Sequence, residues 1–107
     1  MPRVLLNLQK TAKKGEIVEV KLLISHPMES GQRRDETGKI VPRDIINRFR
    51  CTYGGAEVLT LDLFPAVAAN PFLSFSLLAD ETGPVEMEWI DDVGVTGSAR
   101  AMLQVDD

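Results

Sequence analysis

The chain has 107 residues, 44% of them apolar and 26% charged, and a net charge of −4. That length and balance predict one globular domain over residues 1–107 with a modest core. No apolar run approaches the length of a membrane-spanning helix, and the acidic total speaks against nucleic acid as a partner.

The charge is uneven, +5 over residues 1–50 and −9 over residues 51–107. The halves make a positive and a negative region if they lie apart, and none if a sandwich interleaves early and late strands. The one cysteine, Cys51, cannot form an internal disulfide. Met1 to Lys10 lacks the basic, apolar and small-residue blocks of a signal peptide.

Taken in order, Val4 to Leu8 predicts a first short strand and Lys13 to Glu16 a charged turn. Val18, Val20, Leu22 and Ile24 then alternate with Glu19, Lys21, Leu23 and Ser25, the period of two of a half-buried strand. The stretch from Ile24 to Phe49 interrupts the alternation. Pro27 and Pro42 bracket its middle and favour extended geometry at His26 and Val41. Asp35-Glu36-Thr37-Gly38 has the composition of a tight turn. A long arginine-bearing hairpin projecting from a sheet is expected.

Beyond it Phe49, Cys51 and Tyr53 resume the alternation, Gly54-Gly55 predicts a two-residue hairpin turn, and Leu59, Leu61 and Leu63 follow. Phe64 to Pro71 is apolar, holds two prolines and is no regular strand, with room for one helical turn at Pro65 to Ala69. Leu73, Phe75 and Leu77, then Val85, Met87 and Trp89, then Ala99, Ala101, Leu103 and Val105 mark three more strands. The pattern predicts an all-β, immunoglobulin-like (fibronectin III-like) antiparallel β-sandwich of about seven strands, without the disulfide.

His26 to Asp35, followed by Pro42 to Phe49, resembles the SoxZ family, one subunit of the SoxYZ carrier of bacterial sulfur oxidation. Lys14-Gly15-Glu16, Asp62 to Pro65, Ala69-Asn70-Pro71 and Trp89 with Asp91-Asp92 extend the resemblance along nearly the whole chain. Ser30 and Asp44 stand where the family commonly has Thr and Asn. The resemblance implies the same sandwich fold and a heterodimer with SoxY, whose flexible glycine-rich C-terminal arm carries sulfur intermediates on a cysteine. It also implies a periplasmic location by co-export with a signal-bearing partner.

The candidate residues divide by chemistry. His26 is the only histidine, and a metal centre needs several converging ligands, so no metal or cofactor is expected. It is read as ending a strand and holding a loop by a hydrogen bond. Cys51 shares the apolar face of Phe49 and Tyr53 and is read as core. Arg33, Arg34 and Arg48, with Arg43 and Arg50, suit an oxyanion or an acidic partner; equally they pair with Glu29, Asp35, Glu36 and Asp44. Phe64, Pro65, Asn70 and Phe72 belong to an apolar connection that marks an interaction surface. The acidic pairs Asp80-Glu81, Asp91-Asp92 and Asp106-Asp107 lack the alternation of a calcium loop and are read as solvated.

The expected function is a non-catalytic subunit that pairs with SoxY and, through it, meets other Sox enzymes. His26, Met28, Arg33, Arg34, Arg48, Phe64, Pro65, Asn70 and Phe72 are the candidates for partner contact or arm docking. The alternatives are a self-associating, anion-binding sandwich module, homo-oligomeric when isolated, and a small enzyme using His26.

Overall fold

The computed structural model describes residues 4–65 and 67–107. It is all-β, and among the described residues no helix is long and apolar enough to cross a membrane. Eight strands form in chain order: β1 (Val4–Asn7), β2 (Thr11–Lys13), β3 (Ile17–Ile24), β4 (Ile46–Tyr53), β5 (Ala56–Asp62), β6 (Phe72–Leu78), β7 (Gly83–Asp91) and β8 (Thr96–Asp106). The immunoglobulin-like sandwich read from the alternation is what forms. The strand added to the expected seven is β2, whose three residues hold one buried side chain, Ala12. The helical turn envisaged at Pro65 to Ala69 includes Ala66, which lies outside the described residues.

β1, β3 and β6 make a three-stranded sheet; β2, β8, β7, β4 and β5 make a five-stranded one. All pairings are antiparallel except β2 with β8. The alternating residues of each strand meet between the sheets. Val18, Val20, Leu22 and Ile24 of β3 are fully buried, as are Phe49, Cys51, Val85 and Leu103 on the other layer. Phe49 ties the layers together. Its ring stacks on Trp89 at 6.3 Å and meets Phe75 of the opposite sheet edge-on at 6.1 Å. Such aromatic contacts are worth about 1 kcal/mol beyond their buried area.

Three glycines are required by geometry. Gly54 and Gly55 both have positive φ, 60° and 85°, which is the two-residue turn that matches strand twist in a β4–β5 hairpin. Gly97 pairs with Trp89 across β7 and β8, and a Cβ there would lie 2.3 Å from the indole Nε1. The ring occupies the space that any other side chain would need.

Gly97→Ala is therefore expected to destabilise the fold by on the order of 2–3 kcal/mol through overpacking. Urea unfolding followed by Trp89 fluorescence measures it. A loss of a few tenths would show that the indole can move aside.

Candidate functional site

The insertion between β3 and β4, residues 25–45, is longer than connections usually are without a role of their own. It closes on itself as the sequence suggests. Glu29 bridges Asp44 and Arg34 bridges Ile40. At its tip Asp35 Oδ1 accepts from the Thr37 and Lys39 amides at 2.9 and 3.0 Å and from the Thr37 hydroxyl at 2.7 Å. These bonds favour the carboxylate, the Thr37 hydroxyl most, and lower the Asp35 pKa.

The insertion is docked at its base by two neighbouring carboxylates at the end of β7. Asp91 accepts from the Val93 and Val95 amides at 3.1 and 2.8 Å, folding the β7–β8 turn, and from His26 Nε2 at 3.1 Å. Asp92 accepts from Arg43 Nε and Nη2 at 2.7 and 3.0 Å, from the Ile45 amide at 3.2 Å and from Asn47 Nδ2 at 3.0 Å. Asn47 falls where the β4–β7 register shifts, between Ile46 and Arg48, and such an irregularity re-aims a side chain. The Arg43 fork, then Asn47, hold the Asp92 carboxyl down at about 2. The reading of Asp91-Asp92 as a solvated turn is thereby corrected. Apart from the Val93 and Val95 amides, their partners lie 45 to 65 residues away, where no local pattern points to them.

His26 is the centre of the docking. Its side chain is 10% exposed and that of Asp91 7%. Its Nδ1 accepts the Met28 amide at 2.9 Å, so the ring proton is assigned to Nε2, the nitrogen that faces the carboxylates. The backbone of His26 is held in turn by Asn70, whose Oδ1 accepts the His26 amide at 3.1 Å while its own amide donates to the His26 carbonyl at 2.7 Å. Met28 and Asn70 both take left-handed backbone conformations, φ 50° and 52°. These are uncommon for residues with a side chain and persist where the surroundings over-determine them. Met28 is buried, and its sulfur accepts the Ile46 amide at 3.2 Å.

Asp44 completes the cluster. Its Oδ1 lies 3.8 Å from His26 Nε2, is buried and has no hydrogen-bond partner. One ligand atom from each of His26, Asp44 and Asp91 falls within 4.8 Å of the others, a convergence the sequence reading did not foresee. A metal on Nε2 would have to displace the proton that the Met28 amide keeps there. The geometry is that of an imidazole hydrogen-bonded to Asp91, with the unpartnered Asp44 oxygen 3.8 Å from the same nitrogen.

The other candidates are dispersed. Arg33 makes a fork on Glu29, with Nη2 at 2.7 Å and Nε at 3.1 and 3.2 Å from its oxygens, and this lowers the Glu29 pKa and raises that of Arg33. Arg34 donates Nη1 to the Gly38 carbonyl at 2.8 Å. Arg48 stands exposed on the outer face of β4. Cys51, on the inner face of the same strand, is buried, and burial pushes its thiol up to about 11. Phe64 and Pro65 lie in the β5–β6 connection, Phe64 exposed and Pro65 half-buried.

Phe72 opens β6. The register sets Leu5, Leu23 and Phe72 side by side across the three strands of the smaller sheet, on its outer face. Leu5 and Phe72 remain 61% and 60% exposed. A shallow cavity lined by Leu5, Leu23, Ser25 and Asn70 adjoins the row.

The SoxZ family, described as sulphur oxidation protein SoxZ, matches residues 6–102. The chain belongs to the SoxZ family. No curated protein matches it. Among solved structures it is similar to the superoxide reductase (neelaredoxin) of Ignicoccus hospitalis, at 14% identity and TM-score 0.74, over 96% of this chain and 80% of that one. It is likewise similar to the sulfur carrier protein SoxY of Chlorobium limicola f. thiosulfatophilum, at 14% identity and TM-score 0.67, over 97% and 79%. A putative superoxide reductase of Thermotoga maritima gives 12% identity and TM-score 0.74, over 97% and 86%. At such identities the likeness shows the sandwich fold alone.

The Asp92 site has a signed pH dependence. A carboxyl held at about 2 against an ordinary 3.8 adds stability that is complete above the ordinary value and is lost as pH falls through about 2. Asp92→Asn is expected to cost on the order of 1–2 kcal/mol at pH 6, with the gap to wild type closing towards pH 2. Urea unfolding of both proteins at pH 6, 4 and 2.5 reads this. A gap that does not change with pH would remove the Arg43–Asp92 pair from the account.

Proposed function

We propose that this chain is the non-catalytic partner of SoxY in a SoxYZ carrier of covalently bound sulfur intermediates, formed as a heterodimer and periplasmic by co-export with that partner. The observation carrying this reading is the state of Cys51. A sulfur carrier needs an accessible thiolate. The one cysteine of this sequence faces the core of the sandwich with its thiol raised to about 11. Membership of the SoxZ family supports the pairing, and carriage of sulfur on the partner's cysteine accounts for the inert one here.

The surface we assign to SoxY is the row of Leu5, Leu23 and Phe72 on the outer face of the three-stranded sheet, continued by Asn70 and by the connection that bears Phe64 and Pro65. Exposed apolar rows of this kind mark protein contacts, and a stable interface buries about 800 Å² a side around a few aromatic or arginine anchors. His26 and Met28 shape this rim from beneath, through the bonds of His26 to Asn70 and Met28. Arg33 and Arg34, at the tip of the insertion, are assigned to the polar margin. Arg33 is already matched by Glu29, so it steers a partner more than it binds one.

The test is co-expression with SoxY, followed by titration of the purified subunits. A stable one-to-one complex is expected, and the isolated chain is expected to self-associate through the same row. Phe72→Ala should weaken SoxY binding about tenfold or more, as truncated aromatic anchors do, with little change in melting temperature because the ring is exposed. Wild-type affinity in Phe72→Ala and Phe64→Ala alike, with a strictly monomeric isolated chain, would overturn the assignment.

A further inference from the structure

Two open sheets leave four edge strands, here β1, β6, β2 and β5. A free strand edge invites pairing with another chain, and proteins blunt such edges with short strands, charges or bulges. Three of the four are blunted in this way. β1 has four residues and β2 three, while β5 carries Glu57 and Asp62 and shifts register against β4. β6 has none of these devices. Its seven residues, Phe72-Leu73-Ser74-Phe75-Ser76-Leu77-Leu78, hold no charge and no proline and pair with β3 without a shift.

The bonds at the two ends of β6 show which backbone groups the edge offers. The Ile24 amide donates to the Pro71 carbonyl at 3.1 Å. Ala79 donates to the Glu16 carbonyl and accepts from the Gly15 amide, both at 2.8 Å. Residues of an antiparallel strand alternate in the side to which they turn their backbone groups, so the odd-numbered residues of β6 face β3. Phe72, Ser74, Ser76 and Leu78 turn N–H and C=O to the open side, where no strand pairs with them among the described residues. The side chains of these four are exposed, and those of Leu73, Phe75 and Leu77 face the core.

Leu73-Ser74-Phe75-Ser76-Leu77 reads the same in both directions. About a two-fold axis at Phe75, an antiparallel second copy therefore meets its own sequence. Leu73 falls opposite Leu77, Ser74 opposite Ser76, Phe75 opposite Phe75 and Phe72 opposite Leu78. In that register every free backbone group of one edge meets one of the other. The register also joins two apolar groups on the outer face. Phe72 ends the row of Leu5 and Leu23, and Leu78 pairs with Ile17, both of these being more than half exposed. Across the axis one row runs through Leu5, Leu23 and Phe72 to Leu78 and Ile17 of the second copy. Alongside the edge, Ala56 and Val58 of β5 and Ser76 and Leu77 of β6 line a groove of about 430 Å³, with room for the inward side chains of an added strand.

We propose that the free edge of β6 is a self-pairing surface. Two copies of this chain join there, antiparallel about an axis at Phe75, into one continuous sheet ordered β1-β3-β6-β6-β3-β1. This gives the self-association of the isolated chain a defined geometry, edge to edge, and needs no SoxY. One added strand is a smaller contact than the roughly 800 Å² per partner of a standard interface, so the dimer is weak, with a micromolar or higher dissociation constant.

The experiment combines sedimentation of the isolated chain over a range of concentrations with disulfide trapping. Ser74→Cys and Ser76→Cys chains, mixed, are expected to cross-link several-fold faster than either alone, because directly opposite Cα atoms lie about 5.5 Å apart. Cys51 is buried and takes no part. Ser74→Pro removes an edge N–H twice per dimer and should weaken association about tenfold; edge strands tolerate proline there. Ser74→Lys with Ser76→Lys sets like charges opposite each other at exposed positions and should do the same without lowering the melting temperature. Leu5→Ser, two strands away on the same face, should leave the dimer intact. A chain that is monomeric at millimolar concentration, trapping no faster in the mixture, or a dimer that survives both edge variants would overturn the proposal. SoxY binding is measured on the same proteins. A monomeric chain that binds SoxY rejects the edge pairing alone, whereas a chain that pairs with itself in this register and never binds SoxY supports the edge pairing and rejects the functional reading.

Discussion

Asp91 is the last residue of β7 and Asp92 the first of the turn that follows, a position that constrains their two carboxylates to separate sets of partners. That constraint lets one dipeptide serve two segments. Asp91 turns inward, where it folds the β7–β8 turn and receives His26. Asp92 turns the other way to Arg43, the Ile45 amide and Asn47. Both ends of the insertion are thus tied to one point of the sheet. His26, thus fixed, orders Met28 through Nδ1 and Asn70 through its backbone, and Asn70 precedes Phe72 by two residues at the exposed apolar row.

The alternation of β3, β4 and β7 was legible because each strand is half-buried and period two records burial directly. β2 was not, since its three residues gain order from a parallel pairing with the far end of β8, a contact that leaves almost no apolar signature. The local closure of the insertion could be read from Asp35 to Gly38, where partners are two to four residues apart. The docking could not. Asp91-Asp92 has the composition of a solvated turn, and nothing local distinguishes a carboxylate that meets water from one that meets His26. A carboxylate pair following Trp89, with a lone histidine at an interrupted strand, was the available signal.

The charge division of the sequence, +5 against −9, leaves no simple dipole at these sites. β4, from the basic half, lies between β5 and β7 of the acidic half, so Arg50 meets Glu57 and Glu88, and Arg43 meets Asp92. Interleaving turns a global asymmetry into local neutrality and leaves a few cations, Arg48 among them, as the places where a field reaches solvent. The two outer faces are accordingly of different kinds. The smaller sheet presents an apolar row suited to a protein partner, and the larger presents a polar face with a groove.

The same base contacts separate the order in which the parts can form. Inside the insertion the bonds join residues mostly two to four positions apart, a span whose closure is entropically cheap. The ties of His26, Arg43, Ile45 and Asn47 to Asp91 and Asp92 span 45 to 65 residues, and they need β7 in place before they exist. Seating of the insertion therefore requires the end of β7 to be formed already, whereas its internal closure does not. The closure of the insertion on itself is thus separable from its attachment to the sheet, which rests on the carboxylates of Asp91 and Asp92.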